Sequence, residues 1–479
     1  MKITKILLKN FHAFRVECEI DLHEGKNLLV YGENGSGKSS IFQALDLFLA
    51  PVRMPFVDHK NIFVMNEDGY VKLEIGDGIN PSDIYEWEET SHPSSESIIL
   101  ESSKTKGFLD YRALLHTHFV HRQANQVDVF DLLVNTLLAN IQNPATRIPF
   151  GEEWQSLKQL ATKRRSKSRE DSINEGLKNF NAGLTKLLVD LTVKANDILN
   201  LFEHNTTIQF SLLGNGLVFN TNSKEIENQS IYLTVEYYGR PLTRHHHFLN
   251  EARLSAIGIS IYLGALLLNP PSDLQVLFLD DVFIGLDMSN RLPLLDALEQ
   301  FFSDWQILLM TYDRVWFEMV RKYVEVWTIK WKEVELFCAK SDEGDIPVYH
   351  PSKDYLSVAQ QHLDNNDLKA AAIYIRSAYE REIKYFCDKH NLVVRYCENH
   401  KQQKSDDFWQ VVKSQKTQDG ADMLDPVLIN QIELYRASIL NQLSHTAPVN
   451  LVRNEVRDAR QAVTHLKNTL RPVERGGLQ

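Results

Sequence analysis

The chain has 479 residues, 43% of them hydrophobic, with a formal net charge of -11. That length and apolar content predict two or three domains with real cores and exclude a disordered scaffold. The acidic balance argues against a surface coated in nucleic acid, although a local basic patch can still hold phosphate within a screening length. The longest apolar run, LSAIGISIYLGALLL from Leu254, falls short of the roughly 18 to 20 residues that span a bilayer. MKITKILLKNFHAF alternates like a strand and lacks the pattern of a signal peptide, so a soluble, cytoplasmic protein with no membrane part is expected. Cys18, Cys338, Cys387 and Cys397 are too few and too scattered for a disulfide framework.

In chain order, Lys2 to Leu8 reads as a strand, and Lys26 to Val30 as a second, apolar one ended by a glycine turn. GENGSGKS, Gly32 to Ser39, then fits G-x-x-x-x-G-K-S/T in full and opens a helix expected over Lys38 to Phe48. Glycines there let backbone N–H groups curl around phosphate oxygens, and the helix amino terminus adds a favourable dipole. Asn34, Gly35, Ser36, Gly37, Lys38, Ser39 and Ser40 are therefore the expected cradle for ATP. Lys38 would reach the β and γ phosphates and Ser39 would ligate Mg²⁺.

From about Glu152 to Phe202 the chain is charged, with apolar residues at helical spacing. A short antiparallel arm of two helices, each about 30 Å long, is expected. Its break at KRRSKSRED makes a basic tip of Lys163, Arg164, Arg165, Lys167 and Arg169. That tip suits nucleic-acid backbone or an acidic partner, and equally a solvated turn. Strands are expected at Ile208 to Phe219 and Ile231 to Tyr238, and a helix over Glu251 to Leu268, stopped by the prolines at 270 and 271. His245, His246 and His247 precede that helix; on an extended segment adjacent side chains point apart, which favours loop histidines near phosphate over a metal site.

VLFLDD from Val276 and WQILLM from Trp305 are continuous apolar runs, as in central strands of a parallel sheet covered on both faces. The first ends in two carboxylates about 240 residues beyond the phosphate loop. Asp280 suits Mg²⁺ coordination, and Asp281 is the candidate base that orients an attacking water. After about His350 the pattern is helical alone.

Taken together, NFHAF, GENGSGKSS, LNEARLSA, FLDDVFIGLD and ILLMTYDR resemble the ABC-type ATPases of the SMC, Rad50 and RecF group, over roughly residues 1–340. The resemblance implies a nucleotide sandwiched between two head-to-tail subunits, one offering the phosphate loop and the other a signature segment. LNEAR occupies the signature position, with Asn250 for the usual serine and Ala252 for the usual glycine. Asp287 matches the loop through which subunits sense each other, and Gln123 or Gln126 the glutamine that ties Mg²⁺ to the arm. His12 stands where the group commonly has arginine, and Tyr312 where it has a switch histidine at the γ-phosphate. A phenol can donate a hydrogen bond to phosphate but cannot serve as an imidazole would, which implies slow turnover. With a short arm and no membrane span, the chain looks most like ATPases of bacterial anti-phage defence, the Septu- and retron-associated PtuA family, and more distantly the anticodon nucleases PrrC and RloC. LNEARLSA and TYDRVWFE carry that likeness.

The carboxyl-terminal part resembles a HEPN-type helical bundle, a fold that often carries metal-independent ribonucleases. Asn441 and His445 keep the spacing of the Arg-polar-x-x-x-His segment, but Leu440 takes the arginine place. Arg376 and Glu380, at i and i+4 on one helix face, would complete a set with His445 like that of the anticodon nucleases; the plainer alternative is a helix ion pair and a core histidine. CDKHNLVVRYCENH repeats C-x-x-H at Cys387/His390 and Cys397/His400, a spacing that suits Zn²⁺, though Cys387 falls on an apolar stripe.

The expected architecture is an α/β P-loop ABC-type ATPase head with a short coiled-coil arm and an all-α, HEPN-like carboxyl-terminal bundle. Residues 1–150 form the first lobe, 151–205 the arm, 206–345 the second lobe and 346–479 the bundle. The expected function is a slow ATPase of anti-phage defence that assembles head to tail and gates a separate nuclease, such as an HNH protein. The alternatives are an ATP-regulated RNase acting through its own carboxyl-terminal domain and a RecF-like DNA-repair ATPase.

Overall fold

The computed structural model describes every residue except 78–79, 81, 111–126, 163–165, 204, 283–285, 287, 328, 342–343, 352–354, 396–403, 417–419, 441–450 and 472–479. Two compact units divide the chain, Met1–Pro351 and Ser352–Gln479.

The first unit begins with β1 (Lys2–Lys9), β2 (Cys18–Asp21), β3 (Asn27–Gly32), α1 (Lys38–Phe48), β4 (Tyr70–Gly76), β5 (Asp83–Trp87), α2 (Ser97–Thr105) and β6 (Gly107–Asp110). After the short β7 (Val127–Asp128) come α3 (Phe150–Thr162), α4 (Lys167–Asn200), β8 (Thr206–Leu212), β9 (Val218–Asn220), β10 (Glu225–Glu227), β11 (Ile231–Tyr237) and β12 (Arg240–Leu242). It closes with α5 (Glu251–Leu266), β13 (Val276–Asp280), α6 (Met288–Phe301), β14 (Gln306–Thr311), α7 (Arg314–Tyr323), β15 (Trp331–Ser341) and β16 (Gly344–Pro351).

The central sheet has the order β16-β15-β3-β14-β13-β6, parallel except for the β15–β16 hairpin. Every residue of β13 and β14 is buried, as their unbroken apolar runs require. Their side chains alternate between two cores. Val276, Phe278, Leu308 and Met310 join Leu28, Val30, Ile41 and Phe48 on one face. Leu277, Leu279, Ile307 and Leu309 join Leu184, Leu191, Ile257 and Leu294 on the other. The period of two in a strand makes one sheet serve both layers.

A second sheet, antiparallel in the order β2-β1-β4-β5, shares the first core. It is tied to the central sheet by Gln306, which is fully buried: its Oε1 accepts from Ile3 N at 2.7 Å, and its Nε2 donates to Ile3 O at 2.8 Å and Lys26 O at 2.9 Å. Both polar atoms of that buried amide thus have partners.

The two helices expected as an equal pair are unequal. The first, α3, has 13 residues and α4 has 34, about 20 Å against about 50 Å at the helical rise. Most of α4 is packed onto the head, because its apolar stripe (Leu184, Leu187, Leu188, Leu191, Ile198) belongs to the core shared with α5. Two asparagines fasten it there. Asn196 accepts from Ile208 N at 2.9 Å and donates to Ile208 O at 2.8 Å, and Asn181 does the same for Leu217 at 3.0 and 2.9 Å. At Gly264 of α5 a Cβ would lie 2.9 Å from Ala195 N, so the absence of a side chain sets how closely α5 approaches α4.

The second unit holds α8 (Tyr355–Asp364), α9 (Leu368–Lys389), α10 (Ser405–Lys413), α11 (Pro426–Tyr435) and α12 (Arg453–Leu470). Its core contains Leu356, Ala371, Ile375, Tyr379, Trp409, Ile432 and Val463. Asp367 starts α9 by accepting from Ala370 N at 3.1 Å, and Asp425 starts α11, with Pro426 in the first turn where its missing N–H costs nothing. Arg436, buried just beyond α11, reaches Asp406 at 2.6 Å and Glu433 at 3.0 Å.

Candidate active site

Because β14 lies between β3 and β13, the loops leaving the carboxyl ends of all three open at one edge of the sheet. The register puts Asp280 level with Met310, and Met310 level with Val30. The phosphate loop, the two aspartates and the Thr311–Asp313 turn therefore converge, at the place where ligands bind such sheets.

The loop itself tests whether a nucleotide fits. A Cβ on Gly32 would stand 2.4 Å from Ser36 Oγ. Gly37, the N-cap of α1, has φ +94°, and a Cβ there would meet Phe14 at 3.0 Å and Pro347 at 3.1 Å. The positive φ at Gly37 favours glycine, and a side chain at Gly32 would displace Ser36 and Lys38. Ser36 is fully buried, and its Oγ has no hydrogen-bond partner among the described residues. Lys38 is 5% exposed and donates to Gly32 O at 2.6 Å and Glu33 O at 3.3 Å. Ser39 Oγ donates to Asp280 Oδ2 at 3.3 Å, which pairs a hydroxyl with a carboxylate of the kind a Mg²⁺ ion takes as ligands. These residues suit a triphosphate and its metal; bound Mg²⁺ would neutralise charge on the phosphate oxygens.

Asp281 follows β13 with φ +52°, a left-handed conformation that non-glycine residues rarely adopt. Its carboxylate is held from two sides. Oδ1 accepts from Tyr312 N at 3.0 Å, and Oδ2 lies 3.9 Å from Lys38 Nζ. Burial pushes the carboxyl above its ordinary range, with Lys38 and the Tyr312 N–H opposing the rise. A carboxylate with a raised affinity for protons, beside the phosphate lysine, has the properties of a general base.

What position 312 contributes within the fold is its backbone N–H; the phenol is 43% exposed. Asp313 caps α7, accepting from Val315 N at 3.0 Å and Trp316 N at 3.1 Å, and pairs with Arg291 at 2.7 Å. Burial opposes ionisation of Asp313, but the Arg291 bond and the helix N–H groups hold its carboxyl below the usual range. An aspartate just before an apolar helical run is a legible cap signal in the sequence. Arg291 carries no local signal at all.

The signature candidate Asn250 caps α5, its Oδ1 accepting from Arg253 N at 3.1 Å, which leaves the amide NH₂ as the donor group. His245, His246 and His247 are not on an extended segment: they form most of a helical turn, His245–Phe248, with His245 buried. No group of three or more histidine, cysteine, aspartate or glutamate side chains placed to hold a metal ion occurs among the described residues. His12 pairs with His59, Nε2 to Nδ1 at 3.1 Å, and Asn61 Nδ2 donates to His12 O at 2.6 Å.

Gln123, Gln126, Asp287, Lys163, Arg164, Arg165, Cys397, His400, Asn441 and His445 lie outside the described residues. Of the basic tip, Arg169 folds back so that its Nε donates to Leu160 O at 2.7 Å, at the end of α3. Arg376 and Glu380 pair at 2.9 Å on α9, each about a third exposed. Cys387 is buried, its thiol 3.9 Å from Phe408 O, and His390 packs against the Phe386 ring at 4.4 Å, so that pair is engaged in packing.

Residues 1–238 match a family profile described as AAA ATPase domain. The chain matches no curated protein. Among solved structures, the Smc head domain with an extended coiled coil bound to the C-terminal domain of ScpA, from Pyrococcus furiosus, is similar at 12% identity over 76% of this chain and 99% of that one, with a TM-score of 0.43. The SMC head domain from Thermotoga maritima is similar at 13% identity over 73% and 99%, with a TM-score of 0.35. With the phosphate loop and the paired aspartates at one sheet edge, the first unit is an α/β P-loop ATPase head. No helix among the described residues is long and apolar enough to cross a membrane.

Proposed function

We propose that this chain is a slow, switch-like ATPase whose nucleotide state controls head-to-tail assembly, and that in anti-phage defence this assembly gates a separate nuclease effector such as an HNH protein. The observation that carries the proposal is the carboxylate of Asp281, held by Tyr312 N and set 3.9 Å from Lys38 within a single chain. Lys38 would bind the β and γ phosphates, Ser39 and Asp280 would hold Mg²⁺, and Asp281 would take the proton of the attacking water. Asn250 would donate its NH₂ to the γ-phosphate of a neighbouring copy. The likeness of LNEARLSA and TYDRVWFE to defence ATPases supports the biological setting. The self-contained RNase alternative draws on the Asn441–His445 spacing and, among the described residues, on the Arg376–Glu380 pair.

Asn250→Asp tests the assembly step. The aspartate still caps α5, but it replaces a donor with a negative charge where phosphate is expected. By sedimentation velocity, wild type should grow in size on adding ATP or a non-hydrolysable analogue. Asn250→Asp should bind nucleotide yet remain at its nucleotide-free size, and ATP-dependent growth equal to wild type would refute the role of Asn250.

A further inference from the structure

We propose that Arg291 is a positioning residue that ties the first turn of α6 to the turn after β14, and so fixes the Tyr312 N–H that holds Asp281 beside Lys38. This rests on the hydrolase assignment above. Arg291 lies in the first turn of α6 and bonds in two directions: its Nε donates to Leu286 O at 2.9 Å, and its Nη1 donates to Asp313 Oδ2 at 2.7 Å. Its guanidinium also lies over the Trp316 ring, 5.6 Å from the centroid. The other carboxylate oxygen of Asp313 is engaged by the first N–H groups of α7, and Asp313 N donates to Thr311 Oγ1 at 3.1 Å. The turn that presents Tyr312 N to Asp281 is therefore pinned on both sides.

The links run to Asp281 through the turn. Asp281 N donates to Met310 O at 3.1 Å, and its Oδ1 accepts from Tyr312 N at 3.0 Å. Tyr312 leads to Asp313, and Asp313 to Arg291 at the start of α6. A left-handed non-glycine residue costs on the order of 1–3 kcal/mol and persists only where its surroundings over-determine it. The two bonds from β14 and its turn constrain Asp281, and Arg291 fixes the turn. An arginine is needed because the planar fork aims separate N–H groups at two acceptors at once, whereas an ammonium is a single point donor on a flexible stem.

Without Arg291, Asp313 keeps its cap of α7 but loses its tie to α6. The Tyr312 N–H then drifts from Asp281, and the carboxylate no longer stands in one fixed place beside Lys38.

The experiment is steady-state hydrolysis at pH 7 over a range of ATP concentrations for wild type, Arg291→Met, Arg291→Lys and Asp313→Asn, with thermal unfolding alongside. Asparagine keeps the cap of α7 while breaking the ion pair, so it preserves the fold if the methionine variant does not. The expected result is a kcat about tenfold lower with a KM for ATP within about twofold of wild type. Arg291→Lys should recover little, and Arg291→Met with Asp313→Asn should lose no more than either single variant. A kcat within about twofold of wild type, with only a lower melting temperature, would overturn the coupling and reduce Arg291 to a structural role. Absence of turnover in wild type would instead refute the hydrolase assignment itself.

Discussion

Replacing Asp281 by asparagine separates the chemical role of this carboxylate from its place in the fold. The amide keeps the shape, and its Oδ1 can still accept from Tyr312 N, now at 3.0 Å from the carboxylate. What is lost is the ability to take a proton and the negative charge 3.9 Å from Lys38 Nζ. Loss of a general base costs about 10²–10⁴ in turnover, or roughly 2.7–5.5 kcal/mol of barrier. Nucleotide affinity should hold or rise, since a like charge near the γ-phosphate is removed while Lys38 and the loop remain. Stability should change in the opposite sense to activity. The carboxyl of Asp281 is raised in the folded state, chiefly by burial, so the native protein holds that proton more tightly than the unfolded chain. As pH rises from the unfolded value through the folded one, ionisation costs the wild type stability that the amide keeps. Asp281→Asn should therefore gain in melting temperature relative to wild type as pH goes from 4 to 7. Phosphate release, equilibrium nucleotide binding and thermal unfolding on the same preparations check all three. Turnover within about threefold of wild type would remove Asp281 as the base. A variant that loses stability relative to wild type over that pH range would show that the charge pair with Lys38 outweighs burial.

Two other perturbations test the frame around the site. Burial lowers the affinity of both His12 and His59 for protons, with His59 adding to the effect at His12 and Asp58 opposing it at His59. The native state thus resists protonation, and the contribution of this pair, whole above about pH 6.5, should fade as pH drops through the folded values. His59→Gln should flatten the pH dependence of melting between pH 5 and 7, and an unchanged slope would count against it. Gly264→Ala places a methyl 2.9 Å from Ala195 N in a helix that otherwise prefers alanine. It should lower unfolding free energy by about 1–3 kcal/mol in denaturant titrations, and a stabilised variant would show that α4 can shift away freely.

Local pattern made the phosphate loop, its flanking strand and helix, and the buried strands β13 and β14 readable. A loop motif needs its glycines at set spacing, and a strand covered on both faces must be continuously apolar. The antiparallel β4 and β5 left no such mark, because neither is buried on both faces and the pairing of β4 with β1 joins residues some seventy apart. The helices of the expected arm were found by their period, but periodicity cannot say what covers an apolar stripe. Here the stripe of α4 meets α5, and Asn181 and Asn196 add side-chain bonds to backbone that no amphipathic count contains. The site was legible to the same extent. Lys38, Ser39, Asp280 and Asp281 are marked by motif and strand end, whereas Arg291 is placed by a turn, a helix and a partner 22 residues away.

Tyr312 shows how a residue can be conspicuous for one reason and engaged for another. Its side chain drew notice as a phenol where an imidazole is expected, yet within the chain position 312 holds Asp281 through its peptide N–H. Any residue except proline supplies that group. The holding function therefore places no demand on the side chain, which leaves the phenol free to vary or to contact phosphate. Its exposure at 43% is compatible with either. Under the proposed function, the pinning of the turn by Arg291 and Asp313 would give Asp281 a fixed backbone partner with any residue but proline at 312. A switch of the proposed kind would orient its carboxylate without an imidazole at that position. It would lack a second proton carrier at the γ-phosphate, which is the physical basis for expecting turnover to be slow.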